Sequence, residues 1–163
     1  MKPFSSKSNV NNNKSKNTKN HTTKNTGAKK PASVVTHTQA EQSDWFYMST
    51  TEVEISDIAA HLKESGYTEI DLWEDMGVLE VELPNNSSID FEHLTTPFKD
   101  PSDKAYIESR KIQRIYTVTL QKGNFESLRE IMIKILDKWE GVLCADTTDF
   151  EPAYDKDSLK VKF

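Results

Sequence analysis

The chain has 163 residues, one cysteine and a formal net charge of -5, which is length for one ordinary domain with some left over. The net charge averages two unlike parts: residues 1–42 hold eight lysines against one acid (Glu41), a net of +7, whereas residues 43–163 hold 13 Lys+Arg against 25 Asp+Glu, a net of −12. No apolar run reaches secretory or transmembrane character. The lone Cys144 excludes an intramolecular disulfide, so the expected compartment is reducing, by default the cytoplasm.

Residues 1–42 are built from Asn, Lys, Ser and Thr and lack Trp and Tyr. Such a segment cannot bury enough apolar surface to offset its ordering entropy, and it is expected to be a disordered basic tail. Residues 43–163 carry all three tryptophans, all five tyrosines and six of the seven phenylalanines, and form the expected acidic domain.

In chain order, Trp45 to Ile55 is rich in aromatic and β-branched residues and predicts a strand. Ser56 offers an N-cap to a helix whose apolar face holds Ile58, Ala59 and Leu62, and Gly66 closes it. Ile70 and Leu72, then Leu79, Val81 and Leu83, then Ile89 and Phe91 alternate with polar neighbours. Turn residues separate the three runs, Glu74-Asp75-Met76-Gly77 and Pro84-Asn85-Asn86-Ser87. This period of two predicts an antiparallel meander with one wet face bearing Glu80, Glu82, Asp90 and Glu92. A loop with Pro97 and Pro101 leads to a short helix over 102–111 with Tyr106 and Ile107 as its apolar contacts, and residues 112–121 predict a further strand.

Asn124 offers an N-cap to the strongest helix, in which Leu128, Ile131, Met132, Ile135, Leu136 and Trp139 recur at helical period. Gly141 is expected to end it, Val142 to Ala145 to form a short strand, and Asp146 to Phe163 an acidic loop with a weak terminal segment. Two β-α-β units flanking a meander predict an α+β domain with ferredoxin-like layering: a mostly antiparallel sheet with two principal helices on one face.

Chemistry is sparse. The five glycines are isolated, which excludes Gly-rich phosphate loops, and no cofactor is expected. Cys144 lies among apolar neighbours and predicts a buried thiol rather than a nucleophile. His61 is expected at the edge of a helix's apolar face, and His93 beside Glu92 or water, so no triad can be built. Acids crowd residues 146–157, where a hard cation could find oxygen ligands, but the calcium-loop spacing is missing.

A domain of this charge repels nucleic acid, leaving only weak phosphate contacts to the tail lysines, and attracts a basic protein. Small bacterial proteins that neutralise nuclease toxins, and phage inhibitors that mimic nucleic acid, share this profile of charge and size. The expected function is therefore a non-enzymatic protein-binding module of inhibitor or immunity type. Its expected contact residues are Glu80, Glu82, Asp90 and Glu92 on the meander and Asp146, Asp149 and Glu151 in the acidic loop. The alternatives are a small metal-dependent enzyme using the 146–157 loop and a regulatory domain that binds a small ligand between helix and sheet.

Overall fold

The computed structural model describes residues 44–84, 86–95, 98–122 and 125–161. The expected tail, the Asn124 cap, Asn85, Pro97 and Phe163 lie outside that set. The described residues form strands β1 (Asp44–Ser49), β2 (Ile70–Trp73), β3 (Val78–Leu83), β4 (Ser87–His93), β5 (Arg114–Gln121), β6 (Gly141–Ala145) and β7 (Ala153–Tyr154). The helices are α1 (Ile55–Glu64), α2 (Pro101–Ser109), α3 (Phe125–Lys138) and α4 (Lys156–Lys160).

The strands make one open sheet in the order β2-β3-β4-β5-β1-β6-β7, and each neighbouring pair is antiparallel. The fold is thus α+β with an antiparallel sheet. The crossover through α1 carries the chain from β1 past three strands to the edge at β2. The crossover through α3 carries it from β5 to β6, with β1 between them. Both faces of β1 are covered, Trp45 and Tyr47 entering one core and Phe46 and Met48 another. A strand buried on both sides has no need of polar alternation, which explains the continuous run Trp45-Phe46-Tyr47-Met48.

The larger core joins the inner faces of β3, β4 and β5 to Ile58 and Leu62 of α1 and to Leu128, Ile131, Met132 and Ile135 of α3. The smaller core lies on the opposite face, where Phe46, Met48, Val142 and Cys144 meet Phe98, Tyr106, Ile112 and Phe150. The helices therefore do not all gather on one side, because α2 covers the second face. Its start follows from Asp100, whose carboxylate accepts from Ser102 N at 2.8 Å ahead of Pro101 in the first turn. It is held down by Tyr106, whose ring lies 4.8 Å from that of Phe150.

Three expectations are corrected. The first strand stops at Ser49, and Ile55 opens α1, with Glu54 rather than Ser56 as its N-cap residue and Asp57 accepting from Glu54 N at 3.3 Å. Gly141 does not end α3, which finishes at Lys138; it begins β6, where an added Cβ would lie 2.4 Å from the Met48 carbonyl oxygen. The stretch after Asp146 is not only loop, since it contains β7 and α4. Gly66 does close α1: at φ +100 it donates to Lys63 O, and Tyr67 donates to Leu62 O, both at 3.1 Å.

Among the described residues no helix is long and apolar enough to cross a membrane.

Candidate functional site

Strand register decides where the acids meet. Asp71 on β2 faces Glu80 on β3, Glu80 faces Asp90 on β4, Asp90 faces Thr119 on β5, and Thr119 faces Asp44 on β1. Asp146 N donates to Asp44 O at 3.1 Å and brings its residue to the end of the same line. With strands about 4.8 Å apart, five such steps make a transverse row roughly 24 Å long. The row runs along the face opposite α1 and α3. Among the described residues, the smaller core on this face takes no side chain from β2, β3 or β4. Beside the row, Trp73 faces Val78 and Val78 faces Glu92, while Glu82 faces Ser88 one register step to the other side.

Neutral donors fix part of the row in place. Ser88 Oγ donates to Asp90 Oδ1 at 3.2 Å, Gln121 Nε2 donates to Asp90 Oδ2, and Thr119 Oγ1 donates to Asp44 Oδ1 at 3.2 Å. The strands contribute no Lys or Arg to this face. Among the described residues the ion pairs are Arg114–Glu54, Arg129–Glu126 and Asp137 with Lys156 and Lys160, and none uses Asp71, Glu80, Glu82, Asp90 or Glu92. Trp73, 42% exposed, adds a large apolar surface at the edge of the patch.

The loop acids divide differently. Asp146 joins the row, but Asp149 and Glu151 bond within their own loop. Asp149 Oδ1 accepts from Thr147 Oγ1 at 3.1 Å and Glu151 N at 3.3 Å, and Glu151 Oε2 accepts from Ala153 N at 3.0 Å. Those bonds brace a turn in which Phe150 takes φ 57 and is buried in the smaller core. Further on, Asp155 caps α4 by accepting from Ser158 N and Oγ, which holds its carboxyl below the usual range. Among the described residues no group of three or more His, Cys, Asp or Glu is arranged to hold a metal ion.

The titratable residues singled out as candidate nucleophile or bases are also engaged elsewhere. Cys144 is fully buried, and burial pushes its thiol up to about 12. His61 Nε2 lies 3.0 Å from Lys134 O with its ring edge-on to Trp139, so it ties α1 to α3. His93 does not pair with Glu92; it lies 3.3 Å from Arg114 Nη1 and packs on Tyr116. Alternation within a strand locates single acids on a face. The alignment of Asp71 and Asp44 with Glu80 and Asp90 depends on turn lengths and crossovers that alternation does not encode.

The chain matches no protein-family model, no curated protein and no solved structure at a significant level.

Proposed function

We propose that the domain is a non-enzymatic binding module of inhibitor or immunity type, whose acidic sheet face receives a basic protein. The observation that supports this most is the in-register alignment of Asp71, Glu80 and Asp90 on three neighbouring strands. Like charges directly opposite one another destabilise a sheet, so the arrangement works against folding and answers to an attractive field outside the molecule. Such a field steers a cationic partner and repels phosphates. Trp73, at the edge of this face, adds an exposed aromatic side chain of the kind that interfaces are enriched in. Glu80, Glu82, Asp90, Glu92 and Asp146 are the contact carboxylates in this reading, with Asp71 added. Asp149 and Glu151 drop to a bracing role.

The two β-α-β units, β1-α1-β2 and β5-α3-β6, are read as ferredoxin-like layering with a widened meander. The buried lone thiol fits a reducing compartment such as the cytoplasm.

The test is a heteronuclear NMR titration of the full chain with a synthetic Lys/Arg-rich peptide. Amide shifts should concentrate on β2, β3 and β4 and disappear both near 1 M salt, where screening acts within about 3 Å, and in an E80Q/D90N/E92Q variant. Shifts spread evenly over the helical face, or a triple variant that binds as well as the parent, would sink the reading.

A further inference from the structure

We propose that the outer edge of β2 takes up an extended segment of the basic partner as a further strand, one in which Lys or Arg alternates with apolar residues. The inference rests on the reading of the acidic face as a protein-binding surface, and it adds how the partner is held. β2 ends the strand order, and among the described residues no strand pairs with its outer side. Glu82 N donates to Glu69 O at 3.0 Å, and His93 N donates to Gly77 O at 2.9 Å. In an antiparallel ladder the bonded pairs recur at every second residue. On the observed register Asp71 and Trp73 therefore bond to β3, while the N–H and C=O of Ile70 and Leu72 turn outward.

The two ends of the sheet are unlike. β7 has two residues and follows Pro152, and both shortness and proline are means by which proteins blunt an edge. β2 is four residues long and carries neither Pro nor Lys.

The side chains along this edge specify the incoming strand. Glu69 and Asp71 lie on the acidic face opposite Glu82 and Glu80. None of these four carboxylates belongs to an ion pair among the described residues. Ile70 and Leu72 lie on the other face, half-buried against the larger core. An added strand sets alternate residues beside Glu69 and Asp71, where cations fit, and the others beside Ile70 and Leu72, where Val or Ile fits. A second copy of β2 would instead lay Glu69 and Asp71 along their own counterparts, and like charges across strands weaken pairing. Strand addition of this kind draws affinity from main-chain bonds and specificity from alternate side chains.

The test is an NMR and hydrogen-exchange titration of the full chain with a capped peptide of alternating Lys and Val. One control holds the same residues in separate Lys and Val blocks. The other keeps the alternation but is N-methylated at each Val, so that it cannot donate to Ile70 O or Leu72 O. The alternating peptide should shift the amides of Ile70 and Leu72 and slow their exchange, and both controls should bind at least about tenfold more weakly. An E69Q/D71N variant should weaken the alternating peptide while the β3–β4 ladder stays protected from exchange. If the N-methylated peptide binds equally well, or β3 and β4 respond while Ile70 and Leu72 do not, the edge inference fails and the acidic-face reading stands. If none of the peptides binds, both fall. Unchanged binding by E69Q/D71N, or a peptide-free dimer that protects the same two amides, would also overturn the proposal.

Discussion

At the residue scale, the tightest constraint is Gly141. A methyl group there would meet Met48 O at 2.4 Å and Tyr47 Cε2 at 3.0 Å, both within the centre of the sheet. Gly141→Ala should lower stability by about 1–3 kcal/mol through overpacking, read as a reduced urea midpoint at unchanged slope. Burial also sets how the fold responds to alkali. It pushes the Cys144 thiol and the Tyr47 phenol up to about 12 and raises Tyr116, from ordinary values of 9.0 and 10.0. These groups stay protonated in the fold while the unfolded chain ionises them. The stability they confer is therefore complete below pH 9 and is lost as pH rises from 9 toward 12. Denaturation midpoints should fall across that window, and native Cys144 should resist iodoacetamide at pH 8 yet react fully in guanidinium. Rapid alkylation of the native chain would contradict the burial argument.

At the scale of elements, α4 shows how a five-residue helix persists. Arg129 of α3 donates from Nε to Leu159 O at 2.6 Å, Asp137 of α3 pairs with Lys156 and Lys160, and Leu159 is buried in the larger core. Arg129 is itself buried and paired with Glu126. Arg129→Met should remove a charged hydrogen bond worth about 1.5–3 kcal/mol and speed hydrogen exchange in α4 and β7 more than in β3 and β4. Uniform acceleration would indicate global rather than local loosening. Legibility in the sequence follows the same physics. The meander and α3 were readable because each is amphipathic on its own, with Leu79, Val81, Ile89 and Phe91 at period two and Leu128 to Leu136 at helical period. The β1–α1 boundary was not, because Thr50 to Val53 continues the β-branched composition after the strand has ended. Nor were β7 and α4, whose stability comes from Arg129 and Asp137 in another element. For the candidate surface, Glu80, Glu82, Asp90 and Glu92 were visible from alternation, whereas the bracing role of Asp149 and Glu151 emerged only from the buried Phe150 between them.

At the scale of the whole molecule, the acids outside the ion pairs act as a common field. Residues 43–163 carry a net −12, and the Asp71–Glu80–Asp90 alignment concentrates part of it on one face. Glu80 has a carboxylate opposite it on either side, so Glu80→Gln should stabilise the fold by about 0.2–1 kcal/mol. The gain should shrink as salt rises from about 0.01 M to 1 M, because the screening length falls from roughly 30 Å to 3 Å. A variant less stable than the parent at low salt would show that Glu80 makes a favourable contact in the fold. A stabilised variant that also loses the basic peptide would tie the face to binding rather than to folding.

The place of β1 in the sheet has a consequence for synthesis. It is among the first described residues to leave the ribosome, yet its neighbours are β5 and β6, with Asp44 opposite Thr119 and Trp45 opposite Ala145. At ordinary elongation rates the roughly one hundred residues between Trp45 and Ala145 take about 5–20 s to make. For that interval an apolar strand waits without either partner, while β2, β3 and β4 can already pair among themselves. A fragment that ends before Arg114 and has left the ribosome should therefore hold a formed meander and an exposed Trp45-Phe46-Tyr47-Met48, the segment for a chaperone to shield in the growing chain until β5 and then β6 arrive on either side of it.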